Sequence, residues 1–469
     1  MLLEALEDML AGDIAPWDIA WHSPEPAGQL VPYSSQELAA DVWSATRDLA
    51  SIDASRRVGI VVRPVAQTIA WLAAGLLRRQ PLTLIDPRNA SLKSENRADL
   101  GLVAWIDPYH PQPFVGLDAD STLEARKNEA IAIMTSGTSG TAKAVCLTLD
   151  NLDHNLACVS AAMREFGVPM RGAPWSLVLN AAHAYGLSVL LLSLIHRAPL
   201  GLHRDPNFVE TVIDEMNQIG TEVLPAVSSF LGLERQTVAG IITSAAVPTL
   251  GVRLFAGEGL SKRDVDELIE RDSALRIIHM YGMTEHTARV SMGLVGVDYE
   301  PGDVGTPLKG VLVSTIPHES SGLDEIVLRS PSLSPGYAHE ALRLTDDGML
   351  RTGDLGAIGK NGRLVIRGRV SEHFSFKGIS VWARDVEAEV MSIQGVFDCL
   401  AEQSRSDEPV KCSVVVDGSV NNLSLQRVIR SRCNPRNLIG EIVFVNHIDR
   451  TNSGKRKRKR SSEDINPQD

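Results

Sequence analysis

The chain has 469 residues, 44% hydrophobic and 22% charged; it is too long for one hydrophobic core, so at least two globular domains are expected. Its 46 Lys and Arg against 58 Asp and Glu give a net charge of −12, which argues against a general nucleic-acid binder, and no run of about 18 apolar residues offers a membrane span. Cys146, Cys158, Cys399, Cys412 and Cys433 have no metal or redox spacing, and Glu4, Glu7 and Asp8 stand where a signal peptide is basic, so a cytoplasmic protein with reduced thiols is expected.

Short apolar runs alternate with amphipathic stretches along the first half. Val58–Val62 reads as a strand, Thr68–Arg78 as a helix with Ile69, Leu72, Leu76 and Leu77 on one face, and Leu82–Ile85 as a strand closed by Asp86-Pro87. Val103–Ile106 and Ala130–Met134 continue the rhythm, which predicts βαβ units and a largely parallel sheet. The longest apolar stretch, Leu187 to Ile195, is short enough for a core element. Ser261 with Asp264 is a capping-box pattern, followed by a helix through Val265, Leu268 and Ile269 and a strand at Leu275–Tyr281. From about Val304 short glycine-spaced strands (Val311–Ile316, Glu325–Leu328, Arg363–Arg367) predict a β-rich subdomain. After a boundary near Gly368–Ser371 comes a smaller unit with a helix at Ala383–Met391 and strands near Val414–Val416 and Ile442–Val445. The expected fold is α/β: a large unit, 1–368, and a small α+β unit, 369–469. At the end, residues 450–460 (RTNSGKRKRKR) hold seven basic residues and no acid, leaving 39 basic against 58 acidic residues elsewhere, a balance of −19.

The strongest local signal is Thr135-Ser136-Gly137-Thr138-Ser139-Gly140-Thr141-Ala142-Lys143, directly after the strand Ala130–Met134. Glycines let backbone N–H groups approach an anion, five hydroxyls add donors and Lys143 adds charge, so a polyphosphate is the natural guest. It is not a Walker A loop, because Ala142 and Ala144 flank the lysine where glycine and a hydroxyl residue are needed. Read alone, it is also a polar surface turn.

TSGTSGTAKA (135–144) resembles the signature loop of the adenylate-forming superfamily, which includes acyl-CoA synthetases, peptide-synthetase adenylation domains and firefly luciferase. HAYG (183–186) resembles its acyl-site motif, AGEGLS (256–261) an adenine-side loop, MYGMTE (280–285) its aromatic-Gly-x-Thr-Glu motif, Arg351 to Asp354 its TGD motif, Gly368-Arg369 its hinge entry, and Arg450 to Lys455 its C-terminal lysine motif. The resemblance implies ATP and Mg²⁺ as cofactors. It assigns the β- and γ-phosphates to Lys143 and its loop, a phosphate contact to Thr284 and Mg²⁺ ligation to Glu285. Tyr281 would stack on adenine beside Gly257, Glu258 and Gly282. Asp354 would accept from the ribose hydroxyls, with Arg369 nearby. Lys455 would bridge the substrate carboxylate and the α-phosphate. The carboxylic acid would meet His183, Tyr185, Gly186 and the segment Leu224–Leu231. In a second pose of the small unit, Lys377 and Gly378 would form a tunnel for the pantetheine thiol of coenzyme A or of an acyl or peptidyl carrier protein, with a hinge at Ser371.

The sequence departs from the family pattern at Ser371, where Asp or Lys is usual, at Ala182, where an aromatic precedes the histidine, at Asp449 for proline and at Ala144 for glycine. The hinge change puts the rotation, and with it the second half-reaction, in question. Locally, Glu285 also reads as a helix-start acid, Tyr281 and His183 as core residues, Asp354 as a turn closer, and the basic tail as a nuclear-localisation or anion-binding patch. The segment Asn180–Gly186 has no acid to pair an α-amine, which disfavours a free α-amino acid; a mixed, not purely apolar, acyl segment favours a small or medium acid with a long-chain fatty acid left open, and the length is closest to compact stand-alone acyl-CoA synthetases of secondary metabolism. Two rivals to the acid–thiol ligase stay open: an amide ligase passing the acyl group to an amine, and a non-catalytic nucleotide-binding protein, which would have to lack catalytic residues although Lys143, Glu285, Asp354 and Lys455 are all present.

Overall fold

The computed structural model describes residues 1–10, 18–22, 30–89, 99–110, 114–116, 123–135, 143–203, 209–238, 249–257, 259–318, 323–377, 379–405, 408–416, 421–433, 437–449 and 456. Its large unit rests on two sheets whose middle strands are parallel and whose edges are antiparallel. The seven-stranded sheet has Leu102–Ile106, Arg57–Val61, Leu82–Ile85 and Glu129–Thr135 as its parallel middle, with Lys143–Thr148 antiparallel to the last of these. The nine-stranded sheet orders Arg276–Tyr281, Val252–Phe255, Val223–Ala226, Trp175–Leu177, Leu200–Leu202 and Asp18–His22 in parallel. The expected βαβ-type sheets are thus two, each parallel in the middle and antiparallel at its edges. Strands such as Arg57–Val61, buried at every position, read as continuous apolar runs because both faces are covered.

The apolar stretch at Leu187 belongs to the helix Ala184–His196, buried at every position from Gly186 to Leu194 and part of the main core. A helix apolar all round has to be enclosed, and each of its fully buried leucines is worth about 2 kcal/mol over exposure. The helix Ala66–Arg78 is also largely buried, from Thr68 to Leu76, and ends at Arg79 in the left-handed region (φ 55°). The capping box at Ser261 forms as the sequence predicts, with Asp264 N–H donating to the serine side chain and Asp264 Oδ2 accepting from Ser261 N–H. Deeper, the buried Arg57 guanidinium donates to both oxygens of buried Glu129, at 2.6 and 2.8 Å, tying two strands of the seven-stranded sheet.

A four-stranded antiparallel sheet follows, Leu312–Pro317, Asp324–Arg329, Leu350–Ile358 and Leu364–Arg369. After the short turn Val370–Glu372, the chain closes a second core, from Phe374 to Ile442, around the strands Val396–Glu402, Val410–Val416 and Ile439–Phe444 and the helices Ala383–Met391 and Asn422–Arg432. Arg384 of this core donates to Ile366 O of the sheet before it at 2.9 Å.

Parallel strands deliver their carboxyl ends to one place, where open α/β sheets bind ligands. Val62 and Asp86 follow strands of the first sheet; Val178, His203 and Val227 follow strands of the second; all five line one cavity of about 1280 Å³. The small unit closes its far side with Arg384, Glu387, Met391 and Asp398.

Candidate active site

The phosphate-loop residues begin on a hairpin. Thr135 and Lys143 are register partners at the end of antiparallel strands, and Thr135 Oγ1 donates to Lys143 O at 3.3 Å. Ser136, Gly137, Thr138, Ser139 and Gly140 lie outside the described residues. The Lys143 ammonium pairs with Glu340 and sits 5.3 Å from the centroid of the Tyr337 ring. Tyr337 is held by pairing of its strand, Gly336–Tyr337, with the lysine-bearing strand, and its hydroxyl donates to Glu285 Oε1 at 2.9 Å. Burial and the Glu285 and Glu340 carboxylates push this phenol well above its ordinary range, so it stays a donor.

Glu285 is carried by a tight turn after the strand Arg276–Tyr281. At Gly282 a Cβ would lie 1.5 Å from Ala288 O, so only glycine lets the chain double back. Thr284, Glu285 and His286 form a single 3-10 turn. His286 is fully buried between Arg289 O (3.0 Å) and Ser330 Oγ (2.6 Å). Burial lowers its pKa to about 4, against weaker support from backbone carbonyls, so it is neutral at pH 7. Tyr281, at the strand end, donates to Asp354 Oδ2 at 2.5 Å, and Asp354 Oδ1 accepts from Arg369 Nε at 2.8 Å. Asp354 and Arg369 face each other in the β-ladder. A carboxylate offers about four acceptor positions, so room remains for two hydroxyls. Gly257 follows the strand Val252–Phe255 with φ 86°; Glu258 lies outside the described residues.

On the acyl side, His183 starts the helix Ala184–His196 with its Nε2 3.5 Å from Asp86 Oδ2. Asn180 Nδ2 donates to the same oxygen at 2.6 Å, and Arg88 forks onto both oxygens. Burial alone would raise the Asp86 pKa; hydrogen bonds from His183 and Arg88, with the Arg88 charge, outweigh it and hold the pKa at about 2. Gly186 sits against Asn180 O, 2.4 Å from where a Cβ would be. The Tyr185 hydroxyl donates to Leu254 O at 2.8 Å, and the buried Arg289 guanidinium lies 4.7 Å from its ring centroid while bonding Ser188. Of the segment Leu224–Leu231, Val227, Ser228, Ser229 and Phe230 line the large cavity, as do Asp86 and Asn180.

In the small unit, Lys377 occupies the left-handed region (φ 46°) at the turn of the hairpin His373–Phe376 and Ile379–Trp382, its ammonium 4.8 Å from the Phe376 ring centroid. Ser371 lies in the turn Val370–Glu372, its side chain outside the described residues, as are Gly378 and Lys455.

Two clusters therefore form, Lys143–Tyr337–Glu285 and Tyr281–Asp354–Arg369, joined by the short link from Tyr281 to Glu285. The large cavity is lined by none of these six residues; Asp86 and Asn180 line it instead. A triphosphate would need cations and donors more than an enclosed space, and Lys143 with the neighbouring hydroxyls offers them. Sequence reasoning missed Tyr337, Glu340 and Arg289, and read Asp86 only as a strand closer. Asp86 carried a usable signal, an acid at the carboxyl end of an apolar run; Tyr337 and Glu340 carried none.

The AMP-binding enzyme family model matches residues 57–338. A 2-succinylbenzoate–CoA ligase of Listeria innocua is 25% identical over 347 residues, covering 71% of this chain and 70% of that one. The 4-coumarate–CoA ligase-like 6 of Arabidopsis thaliana is 25% identical over 400 residues, 79% of this chain and 66% of that one. Among solved structures, the o-succinylbenzoate CoA synthetase of Bacillus subtilis in complex with its acyl-adenylate intermediate superposes with a TM-score of 0.75 over 96% of both chains at 18% identity. A holo four-domain nonribosomal peptide synthetase bound to AMP and glycine superposes with 0.79 over 97% of this chain and 36% of that one, at 15% identity; both are likenesses of fold. Since the matched region runs from the central strand Arg57–Val61 to just past the tyrosine that joins Lys143 to Glu285, and takes in more than half of the 469 residues, the chain belongs to the AMP-binding enzyme family.

Proposed function

We propose that this enzyme uses ATP and Mg²⁺ to turn a carboxylic acid into an acyl-adenylate and then passes the acyl group to a thiol. One observation carries the reading: Lys143, Glu285 and Asp354, far apart in sequence, are linked through Tyr337 and Tyr281 at neighbouring strand ends. In the first step a carboxylate oxygen bonds the α-phosphorus and pyrophosphate leaves. In the second a thiol sulfur bonds the acyl carbon and AMP leaves with the electron pair of the broken acyl–oxygen bond. Charge builds on phosphoryl oxygens in the first step, so fixed cations and donors do most of the work.

Lys143, with Thr135 and the loop to Gly140, holds the β- and γ-phosphates, displacing Glu340 as the counter-ion of the lysine. Thr284 contacts phosphate. Tyr281 packs on adenine between Gly257, Glu258 and Gly282, while Asp354, flanked by Arg369, accepts from the ribose. Glu285 fits Mg²⁺: one oxygen is turned to Tyr337, the other is available, and this hard cation takes one or two carboxylates plus phosphate oxygens. When bound, the ion neutralises polyphosphate charge. Lys455 reaches the α-phosphate and the substrate carboxylate. His183, fixed by Asp86, lies with Tyr185 and Gly186 along the acyl group. Residues 369–469 act as a lid on 1–368, turning near Ser371 to bring Lys377 and Gly378 to the thiol. The named activities of the CoA ligases and the acyl-adenylate bound by the Bacillus subtilis structure support this order of events, as does a complex of the same synthetase with ATP and magnesium ion. Five free cysteines, four of them buried, suit a reducing cytoplasm.

Purified protein is incubated with ATP, Mg²⁺ and 2-succinylbenzoate, 4-coumarate, benzoate or octanoate, then offered coenzyme A, a phosphopantetheinylated carrier protein or an amine. Acid-dependent AMP release with a thioester product is expected; an amide in place of the thioester would overturn the thiol acceptor, and AMP release that ignores the acid would overturn the enzyme class.

A further inference from the structure

The basic tail contains more than the proposed reaction uses. Arg456, directly after Lys455, is the residue between 450 and 469 that the structure describes, and it is not a solvated tail residue. Its Nε donates to Asp398 Oδ1 at 2.8 Å, and one terminal nitrogen lies 2.7 Å from the same oxygen. The other terminal nitrogen is 3.6 Å from Glu387 Oε2. Met391 Sδ lies 3.3 Å from the guanidinium.

Both acids are built into the small unit. Glu387, on the helix Ala383–Met391, is 1% exposed, and its second oxygen accepts from Ala401 N–H at 2.8 Å. Asp398 sits on the strand Val396–Glu402 and also accepts from its neighbour Cys399 N–H at 2.9 Å. One guanidinium thus straddles a helix and a strand of the same core. Charge-assisted bonds to largely desolvated carboxylates are strong, whereas an exposed tail pair contributes about 0–1 kcal/mol.

We propose that Arg456 is a positioning residue that anchors the chain to the small unit one residue after Lys455. The inference rests on the reading of Lys455 given above. Consecutive Cα atoms are about 3.8 Å apart, so an anchor at Arg456 restrains the backbone one residue before it. The first arginine of the basic run is thereby structural and specific, and the lysine travels with the lid rather than with a loose tail. Adenylation, which needs Lys455, depends on the anchor; thiol transfer, served by the opposite face, does not.

The test uses the full-length chain with Arg456→Ala, Arg456→Lys and Lys455→Ala. Hydrogen exchange of peptides covering residues 447–460 is measured first. Faster exchange in Arg456→Ala than in wild type is expected, and unchanged exchange overturns the anchor whatever the activity. The two half-reactions are then measured apart: pyrophosphate exchange with the acid of the panel that exchanges fastest, and thioester formation from its synthetic adenylate and coenzyme A. Arg456→Ala should slow pyrophosphate exchange by about 100-fold, the cost of misplacing a reacting group by about 1 Å, with thioester formation within about twofold of wild type and partial recovery in Arg456→Lys. Equal loss in both half-reactions overturns the positioning role. If Lys455→Ala leaves pyrophosphate exchange intact, the assignment of the lysine fails instead, while hydrogen exchange still decides the anchor.

Discussion

The large and small units solve different problems. The large unit assembles its polar groups at strand ends before any ligand arrives: Tyr281, Asp354 and Arg369 already bond one another, and Tyr337 already joins Lys143 to Glu285. The small unit has its own core and carries its functional residues on a hairpin turn and on the tail after its last strand. On the proposed reading, binding falls to this floor of linked strand ends and chemistry to a lid that turns. A single nucleotide site then serves two half-reactions without being rebuilt.

The sharpest way to break this comparison is Lys455→Ala. It removes the contribution of the small unit alone, so pyrophosphate exchange should fall by about 10³-fold, while thioester formation from supplied adenylate stays near wild type; similar losses in both would mean that the units are not dividing the work. Next comes Arg57→Ala, confined to the large unit. It strands Glu129 in the core and should destabilise by about 3–5 kcal/mol, read by denaturant unfolding. If the units are independent, only the transition of the large one shifts.

Glu285→Gln should lower the turnover of magnesium-ATP by about 100-fold with little change in melting temperature, since its partner Tyr337 can still donate; loss of stability in step with activity would make Glu285 structural. The smallest effect is acid sensitivity. His286 has a folded pKa of about 4 against an ordinary 6.5, so below pH 6.5 the unfolded chain binds a proton that the folded chain refuses. Its contribution is complete above pH 6.5 and lost as pH falls towards 4, at most about 3 kcal/mol. Stability of the large unit measured across that window should fall, and less steeply in His286→Gln; identical slopes would place the titration elsewhere.

Local signals carried much of this. The helix Ala383–Met391 and the strand Leu82–Ile85 match their sequence-predicted ends, because periodicity and a following Asp-Pro are short-range facts. The segment Tyr281 to Glu285 was legible as a motif through its resemblance, while the doubling back at Gly282, where a Cβ has no room, emerged only in the fold. Sheet membership was not. The strands Asp18–His22 and Leu30–Ser34 join the far edge of the nine-stranded sheet through Leu200–Leu202, a pairing that no local pattern encodes. Tyr337 and Glu340 stayed hidden likewise: they reach the lysine strand across a long loop closure, and neither residue type is unusual in an exposed strand end. On the acyl side, His183 and the strand-closing Asp86 were each legible but their meeting was not, because it joins the two sheets.

The most direct measurement is incorporation of labelled pyrophosphate into ATP by the full-length enzyme, with and without each acid of the panel. Label should enter ATP only when an acid and Mg²⁺ are both present, and should vanish in Lys455→Ala. Exchange that proceeds without acid, or none with any acid tried, would contradict the convergence of Lys143, Glu285, Asp354 and Lys455 on one triphosphate.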